Sequence, residues 1–275
     1  MNPADVIIHP QAVVHPRADI GPGVFVGPGC VIGETVSIGK DTRLEANVHL
    51  AGRVRIGEDC RFSPFSAIGG EPQDTGYKGE DTEVVIGDRN IFREFVTVHR
   101  GTVKGGGTTT VGSDNYFMAY SHIAHDCRVG QQTIFTNAAT LGGHVTVDDY
   151  ASIGAFSAVH QFCRVGKYAF IGGFSVILQD VLPFLRVAGM RPVLLYGLNS
   201  VGLRRRGFSR ERLGTLKDIF KILFYSNLNT TQAVDRIKSL FPPQQDREEI
   251  IGFIESSSRG IIKKAAPTWD SESGS

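Results

Sequence analysis

The chain is predicted to form an all-β left-handed parallel β-helix of hexapeptide repeats, followed by a small α-helical C-terminal domain. Three observations predict it. A bulky apolar residue recurs every six positions, a small residue follows four positions after it, and the spacing turns helical near residue 209. A period of six matches neither the helical 3.6 nor the lone strand's 2, and reads as a hexapeptide solenoid.

The bulky series runs at six-residue intervals from Ile8 through Val14, Ile20 and Val26 to Ile68. It resumes in phase at Ile86, Phe92 and Val98, shifts by one residue, and continues from Val111 to Ile177. The small slot holds Ala12, Ala18, Cys30, Cys60, Ser66, Cys127, Ala139, Ala151, Ser157 and Cys163, among others. Alternating large and small inward residues fill a narrow triangular interior. Glycine follows the bulky residue in half of the units, and is expected to supply positive φ at the corner. Three hexapeptides close one coil, so positions 18 apart should stack, about 4.8 Å between coils, in a prism of roughly 40 Å. Known hexapeptide prisms coil left-handed, against the usual crossover rule.

The repeat fades after Ile177, which places the β-helix at 1–185, a helical domain at 186–263 and a disordered tail at 264–275. Ser209 is a candidate N-cap, with Phe208 and Leu213 as a hydrophobic staple. Leu213, Leu216, Ile219, Phe220, Leu223 and Phe224 form one apolar stripe. A second helix is expected from Thr230 or Thr231 to the Pro242-Pro243 stop. Asp246 and Glu249 resemble a capping box opening a third. The tail is polar and small.

The formal charge of +1 argues against a general nucleic-acid binder. No apolar run reaches membrane-spanning length and the start lacks a signal pattern, so a cytoplasmic protein is expected. The four cysteines all fall in the small inward slot, without the clustered spacing of a zinc site, and read as packing residues.

The chemistry concentrates in the histidines, five of eight lying between 99 and 160. Under the 18-residue register, His125, Gly143 and Gln161 share one column, and Asp126 stacks with His144. His122 lies on the coil of His125, and His160 adjoins Gln161. None of these histidines occupies an inward slot, so they should project outward on one strip. Outward histidines can be inert surface, as is expected of His9, His15 and His49. A zinc site is a second reading, as in prisms that hold the metal with three histidines between subunits. Acyl transfer is the third: a neutral imidazole serves as general base, a glycine N–H as oxyanion donor, and Asp126 as the group that fixes the tautomer. No serine or cysteine forms a nucleophile motif with them, which favours direct attack by a substrate hydroxyl. The Gly105-Gly106-Gly107 run is not a phosphate loop, because no Lys-Ser/Thr follows it.

Longer stretches carry a resemblance: EPQD (71–74), IGDRN (86–90), VHRGTVKGGG (98–107), VGSDN (111–115), HIAHDC (122–127), GHVTVDDYA (143–151), AVHQFCRVG (158–166) and RRRGFSRE (204–211). Together they resemble the UDP-N-acetylglucosamine O-acyltransferase family of lipid A biosynthesis. The resemblance implies a homotrimer with sites between subunits, no cofactor and no metal. An acyl carrier protein would bring a (R)-3-hydroxyacyl chain, and the 3-hydroxyl of UDP-N-acetylglucosamine would accept it. It implies His125 as base, Asp126 as its partner and Gly143 as oxyanion donor. Asp74, His99, His122, His144, His160, Gln161, Asn199, Arg205 and Arg206 would bind the nucleotide sugar, and Gln73 and Gly173 would border the acyl chain. As a bare feature, Arg204–Arg206 reads equally as a solvated patch or a phosphate contact.

Three positions depart from the family pattern. Gly76 stands where a lysine is common, with Lys78 the nearby substitute; Val201 stands where some members have glutamate; and Gly189-Met190-Arg191 replaces the more usual AGN. Gly173 points towards a long acyl chain. Basic residues outnumber acids after residue 185, so an acidic carrier protein is expected to dock there in a salt-dependent manner. The competing expectations are the related N-acyltransferase of the same pathway, whose family carries an additional domain before its prism, and a zinc enzyme resembling the γ-type carbonic anhydrases.

Overall fold

The computed structural model describes residues 5–266. It has the expected fold class, a left-handed parallel β-helix followed by a small helical region. Among the described residues the strands form three sheets of 11, nine and eight members. Most strands are only two residues long, because each face of the prism uses a short pleat before the chain turns. The register is the one expected: His122 pairs with Thr140, Thr140 with Ala158, and Arg128 with Thr146. Two insertions lengthen the coil without breaking the ladder. Glu83 pairs with Arg53 and Thr108, separations of 30 and 25 residues in place of 18. The extra chain is the loop 71–82 and the turn region 100–107.

The bulky series lines the interior from Val26 to Ile177. Phe62, Phe92, Phe117 and Phe135 stack in one column at centroid separations of 4.7, 4.7 and 4.9 Å, which is the rung spacing itself. Ile8 is 44% exposed, because its strand Ile7–Ile8 is the first rung and pairs on one side only. Cys30, Cys60, Cys127 and Cys163 are buried free thiols. Burial pushes the Cys60 thiol up to about 11 and Cys127 up to about 12, so neither is a ready nucleophile.

The role expected of glycine at the corner is corrected. The residues with positive φ stand three positions after the bulky residue and are mostly not glycine: Asp41, Asn47, Phe95, Tyr120, Asp126, His144, Phe162 and Tyr168. Their αL conformation costs about 1–2 kcal/mol each, and ring stacking along each edge offsets it, as in Phe95 on Tyr120 at 4.8 Å and Tyr150 on Tyr168 at 4.6 Å. The glycine after the bulky residue answers a different constraint. A Cβ on Gly39 would lie 2.5 Å from the Gly57 carbonyl oxygen, and one on Gly27 would lie 2.7 Å from that of Glu45. The next coil leaves no room for a side chain there.

Strand addition continues past residue 185, where the fading repeat suggested the boundary. Leu185–Ala188 pairs in parallel with Phe170–Ile171, and Leu194–Leu198 returns antiparallel. Helix α1 spans Ser200–Arg205, α2 Arg210–Tyr225, α3 Thr230–Leu240 and α4 Gln245–Glu255. Ser209 caps α2 as expected. The capping box of α3 belongs to Asn229 and Gln232. The box expected of Asp246 and Glu249 does not form; Gln244 precedes α4 without a side-chain bond. Asp246 instead accepts both Arg212 Nε (2.6 Å) and Nη2 (2.7 Å), tying α4 to α2. The helices cover the top of the prism, with Arg164 over the Phe253 ring and Ser257 donating to buried Asp180. Of the tail expected to be disordered, Lys264 and Ala266 bond to Leu195 of the last strand; residues 267–275 lie outside the described residues.

Replacing Gly39 by alanine should cost about 1–3 kcal/mol, as overpacking does, whereas Ala138→Gly, at a positive-φ corner, should stay within about 0.5 kcal/mol because relieved αL strain offsets the added chain entropy. Urea unfolding of the two variants measures the contrast.

Candidate active site

The edge between the second and third sheets carries Asp126, His144 and Phe162, one above another. Each is a corner residue with φ between 61° and 66°. The corner turns the side chain away from the core, and the ladder fixes the spacing: His144 N–H donates to the His125 carbonyl at 3.0 Å and Phe162 N–H to that of Gly143 at 3.1 Å. The sequence therefore folds here into a column of side chains that project from the prism edge.

Asp126 has a fully buried side chain. Its Oδ1 accepts the Thr102 N–H at 2.7 Å, and its Oδ2 accepts the Thr102 hydroxyl at 2.7 Å. The remaining partner is His125 Nδ1, 2.8 Å from Oδ2. A carboxylate only accepts, so His125 carries a proton on Nδ1, and in its neutral form the ring presents a lone pair at Nε2. Gly143 lies against the other side of this ring. A Cβ there would stand 2.5 Å from His125 Cε1 and 2.7 Å from Nε2, so only glycine leaves the imidazole its place. Among the described residues, the Gly143 N–H has no acceptor. His144 approaches edge-on, with centroids 5.2 Å apart, its Nε2 3.6 Å from Asp126 Oδ2, and stacks on Phe162 at 4.5 Å.

On the coil of His125, His122 packs edge-on against His99 of the coil below at 5.1 Å, and its Nδ1 lies 2.7 Å from Thr97 Oγ1. Burial, reinforced by the charges of His99 and His125, holds the His122 pKa down at about 4. Burial lowers His99 as well. Both rings are therefore neutral near pH 7 and act as hydrogen-bonding groups rather than cations.

Asp74 lies on the loop 71–82. Its Oδ1 accepts the Gly76 N–H at 2.8 Å. That bond first, and the nearby Lys104 ammonium and the His125 and His144 rings after it, hold its pKa below the usual carboxylate value. Arg100, buried, pins the loop from beneath by donating to the Gly69 carbonyl at 2.6 Å and to Tyr77 Oη at 3.0 Å. The structure thus gathers Asp74, His99, His122, His125, Asp126, Gly143 and His144. His160 and Gln161 stand on the next coil, where a Cβ on Gly142 would lie 2.9 Å from the Gln161 N; His160 Nδ1 meets Arg259 at 3.0 Å, and Gln161 is exposed. Gln73 is exposed beside Asp74, and Gly173 is exposed with the Ala155 carbonyl 3.3 Å from a built Cβ.

Asn199, Arg205 and Arg206 occupy a different edge. Asn199 caps α1 and donates to the Tyr168 carbonyl at 3.0 Å. Arg206 bonds Gln132 at 2.6 Å and covers Tyr150 at 4.8 Å. Arg205 is exposed. Gln132, Tyr150 and Tyr168 are the corners between the third and first sheets, so one chain does not bring these residues to His125.

Thr102 escaped the sequence reading, although it makes two of the three bonds that orient Asp126. The signal was the adjacent glycine run: a side chain on Gly105 would overlap the Asp126 carboxylate. Lys78, the expected cation of the 71–82 loop, donates its backbone N–H to Glu80 at 2.8 Å and its charge favours the ionised Glu80 carboxylate, whereas Lys104 stands beside Asp74. The zinc reading places its three histidines between subunits, and within one chain the described residues bring together a different set. Among the described residues the one group with three metal-donor side chains is His125, Asp126 and His144, within 4.8 Å, and both carboxylate oxygens of Asp126 are already committed to Thr102 and His125.

Comparison with known proteins places this geometry. Residues 180–262 match the second domain of the UDP N-acetylglucosamine O-acyltransferase family, and 4–34 and 35–70 match bacterial transferase hexapeptide repeats. An acyl-[acyl-carrier-protein]–UDP-N-acetylglucosamine O-acyltransferase of Stenotrophomonas maltophilia is 46% identical over 75% of this chain and 79% of its own; that of Halorhodospira halophila is 47% identical over 77% and 82%. The solved UDP-N-acetylglucosamine acyltransferase of Francisella novicida superposes with a TM-score of 0.91 at 40% identity, covering 96% of both chains. That of Bacteroides fragilis gives 0.91 at 39%, covering 94% and 100%.

An unfolded chain protonates a histidine near pH 6.5 and the folded chain protonates His122 near pH 4, so between those values the unfolded state binds more protons. The contribution of His122 to stability is complete above pH 6.5 and is lost as pH falls through 4. NMR titration should find the His122 ring neutral at about pH 5.5, and unfolding stability should fall less steeply over this window in His122→Gln.

Proposed function

The chain belongs to the acyl-[acyl-carrier-protein]–UDP-N-acetylglucosamine O-acyltransferases, and from this premise we propose that His125 is the general base of its acyl transfer. The enzyme transfers an acyl group from acyl carrier protein to UDP-N-acetylglucosamine in lipid A biosynthesis. The observation that carries the mechanism is the His125–Asp126 hydrogen bond, with Gly143, whose N–H is unpaired among the described residues, packed against the same ring.

His125 Nε2 takes the proton from the sugar 3-hydroxyl as its oxygen attacks the thioester carbonyl of a (R)-3-hydroxyacyl chain. The new C–O bond leaves a tetrahedral oxyanion, which the Gly143 N–H stabilises by about 3 kcal/mol. Collapse breaks the C–S bond, and the departing thiolate receives the proton from His125. Asp126 steadies the transient imidazolium, and the two Thr102 bonds hold Asp126 in line. Asp74, His99, His122, His144, His160 and Gln161 orient the nucleotide sugar as hydrogen-bonding groups. Gln73 and Gly173 border the acyl chain, and the open surface at Gly173 suits a long one.

Asn199, Arg205 and Arg206 serve the uridine and phosphate end. They lie on another edge of the prism, so a neighbouring chain must supply them to the His125 edge. That requirement supports a homotrimer with sites between subunits. The nucleotide-sugar and carrier-protein substrates support a cytoplasmic reaction. Among the described residues, no helix is long and apolar enough to cross a membrane.

Replacing His125 by alanine should lower kcat by about 10²–10⁴-fold, the contribution of a positioned base, while circular dichroism and the unfolding midpoint stay near the parent. Turnover close to the parent's would remove His125 from the role of base.

A further inference from the structure

Lys104 and Gly76 come from the two insertions that lengthen the coils, and they meet over the histidine edge. Lys104 is exposed in the middle of the short turn Val103–Gly105. That turn is fixed to the dyad: Thr102 caps it while donating twice to Asp126, and Gly105 fits against the Asp126 carboxylate only because it has no side chain. Opposite, Asp74 is held by the Gly76 N–H. A Cβ on Gly76 would lie 3.2 Å from Asp74 Oδ1 and 3.3 Å from Lys104 Nζ. The carboxylate and the ammonium thus face each other across the space that a side chain at 76 would enter. Lys104 and the His125 and His144 rings all lie close enough to Asp74 to favour its ionised form, so these groups share one electrostatic neighbourhood. The backbone at 76 lies outside the positive-φ region, and both neighbours of a Cβ there are the ends of side chains.

We propose that Lys104 is a substrate-positioning residue: from the second insertion it supplies the ammonium that holds the Asp74 loop over the His125–His144 edge, ready for the acceptor nucleotide sugar. This rests on reading that edge as the acceptor site. It makes the cation of the 71–82 loop a property of the turn that braces Asp126, so that acceptor binding and base orientation share one support.

Steady-state kinetics in UDP-N-acetylglucosamine at saturating acyl carrier protein thioester test it. Lys104→Gln should raise KM about tenfold, the loss of one charge-assisted contact, with kcat within about twofold of the parent. Lys104→Arg should recover most of the loss. Adding Gly76→Lys to Lys104→Gln should return KM to within about threefold of the parent, because an ammonium from 76 reaches the same space. A merely structural Lys104 would instead disturb the Thr102–Asp126 bonds and lower kcat, and Gly76→Lys would not repair that. An unchanged KM in Lys104→Gln, or a defect that Gly76→Lys leaves in place, overturns the proposal. Calorimetry with UDP-N-acetylglucosamine reads the same affinity ratio without turnover. A parent that binds the nucleotide sugar but transfers no acyl group sinks the functional reading while the ratio still decides the role of Lys104. A parent that does not bind it sinks both.

Discussion

A backbone ladder that returns to the same edge every 18 residues is the constraint on which the rest of this molecule depends. Parallel rungs fix the rise between coils, so residues that are distant in sequence become neighbours with little freedom in the axial direction. Asp126 and His144 are 18 apart and occupy equivalent corners, both in the left-handed region. The conformation that turns the chain at each corner is also what aims these two side chains outward. Functional placement here costs no separate loop: it uses strain that every corner already carries, offset along the edge by rings stacked at rung spacing.

The ladder alone does not make a base out of a histidine. That step requires the buried Asp126 carboxylate, which sits out of water and would be destabilising without partners. Thr102 supplies two and His125 the third. Thr102 is available because an insertion of chain beside the coil brings it back over Asp126, with Gly105 making room. The insertion at 71–82 carries Asp74 to the same edge, and Arg100 locks it from below. A regular prism gives a column of side chains, and two irregular segments turn the column into a site.

The prism was legible because the inward slot is a geometric fact that repeats: one bulky residue per six positions, from Ile8 to Ile177. The His125, Asp126, Gly143 and His144 column followed from the same arithmetic. What the sequence did not reveal depends on contacts that no period encodes. Thr102 lies in an insertion, outside the register. The glycines after the bulky residues satisfy a clearance to the next coil, as at Gly39 against the Gly57 carbonyl, whereas composition suggested a need for positive φ. Asp246 has the spacing of a helix cap, but Arg212 of α2 outcompetes the backbone for its carboxylate. Helix α1 is a single short element whose cap, Asn199, also holds Tyr168, a tertiary contact invisible in a local pattern. The placement of Asn199, Arg205 and Arg206 on another edge likewise emerges only from the assembled prism.

The account's central claim is that the ladder and the buried carboxylate together deliver an imidazole with one defined tautomer. Nitrogen-15 NMR of the resting enzyme at neutral pH measures this directly for His125. The proton should reside on Nδ1, hydrogen-bonded to Asp126, with Nε2 unprotonated and facing the site. A proton found on Nε2 in the neutral ring would contradict the account, since that nitrogen could then not accept the hydroxyl proton.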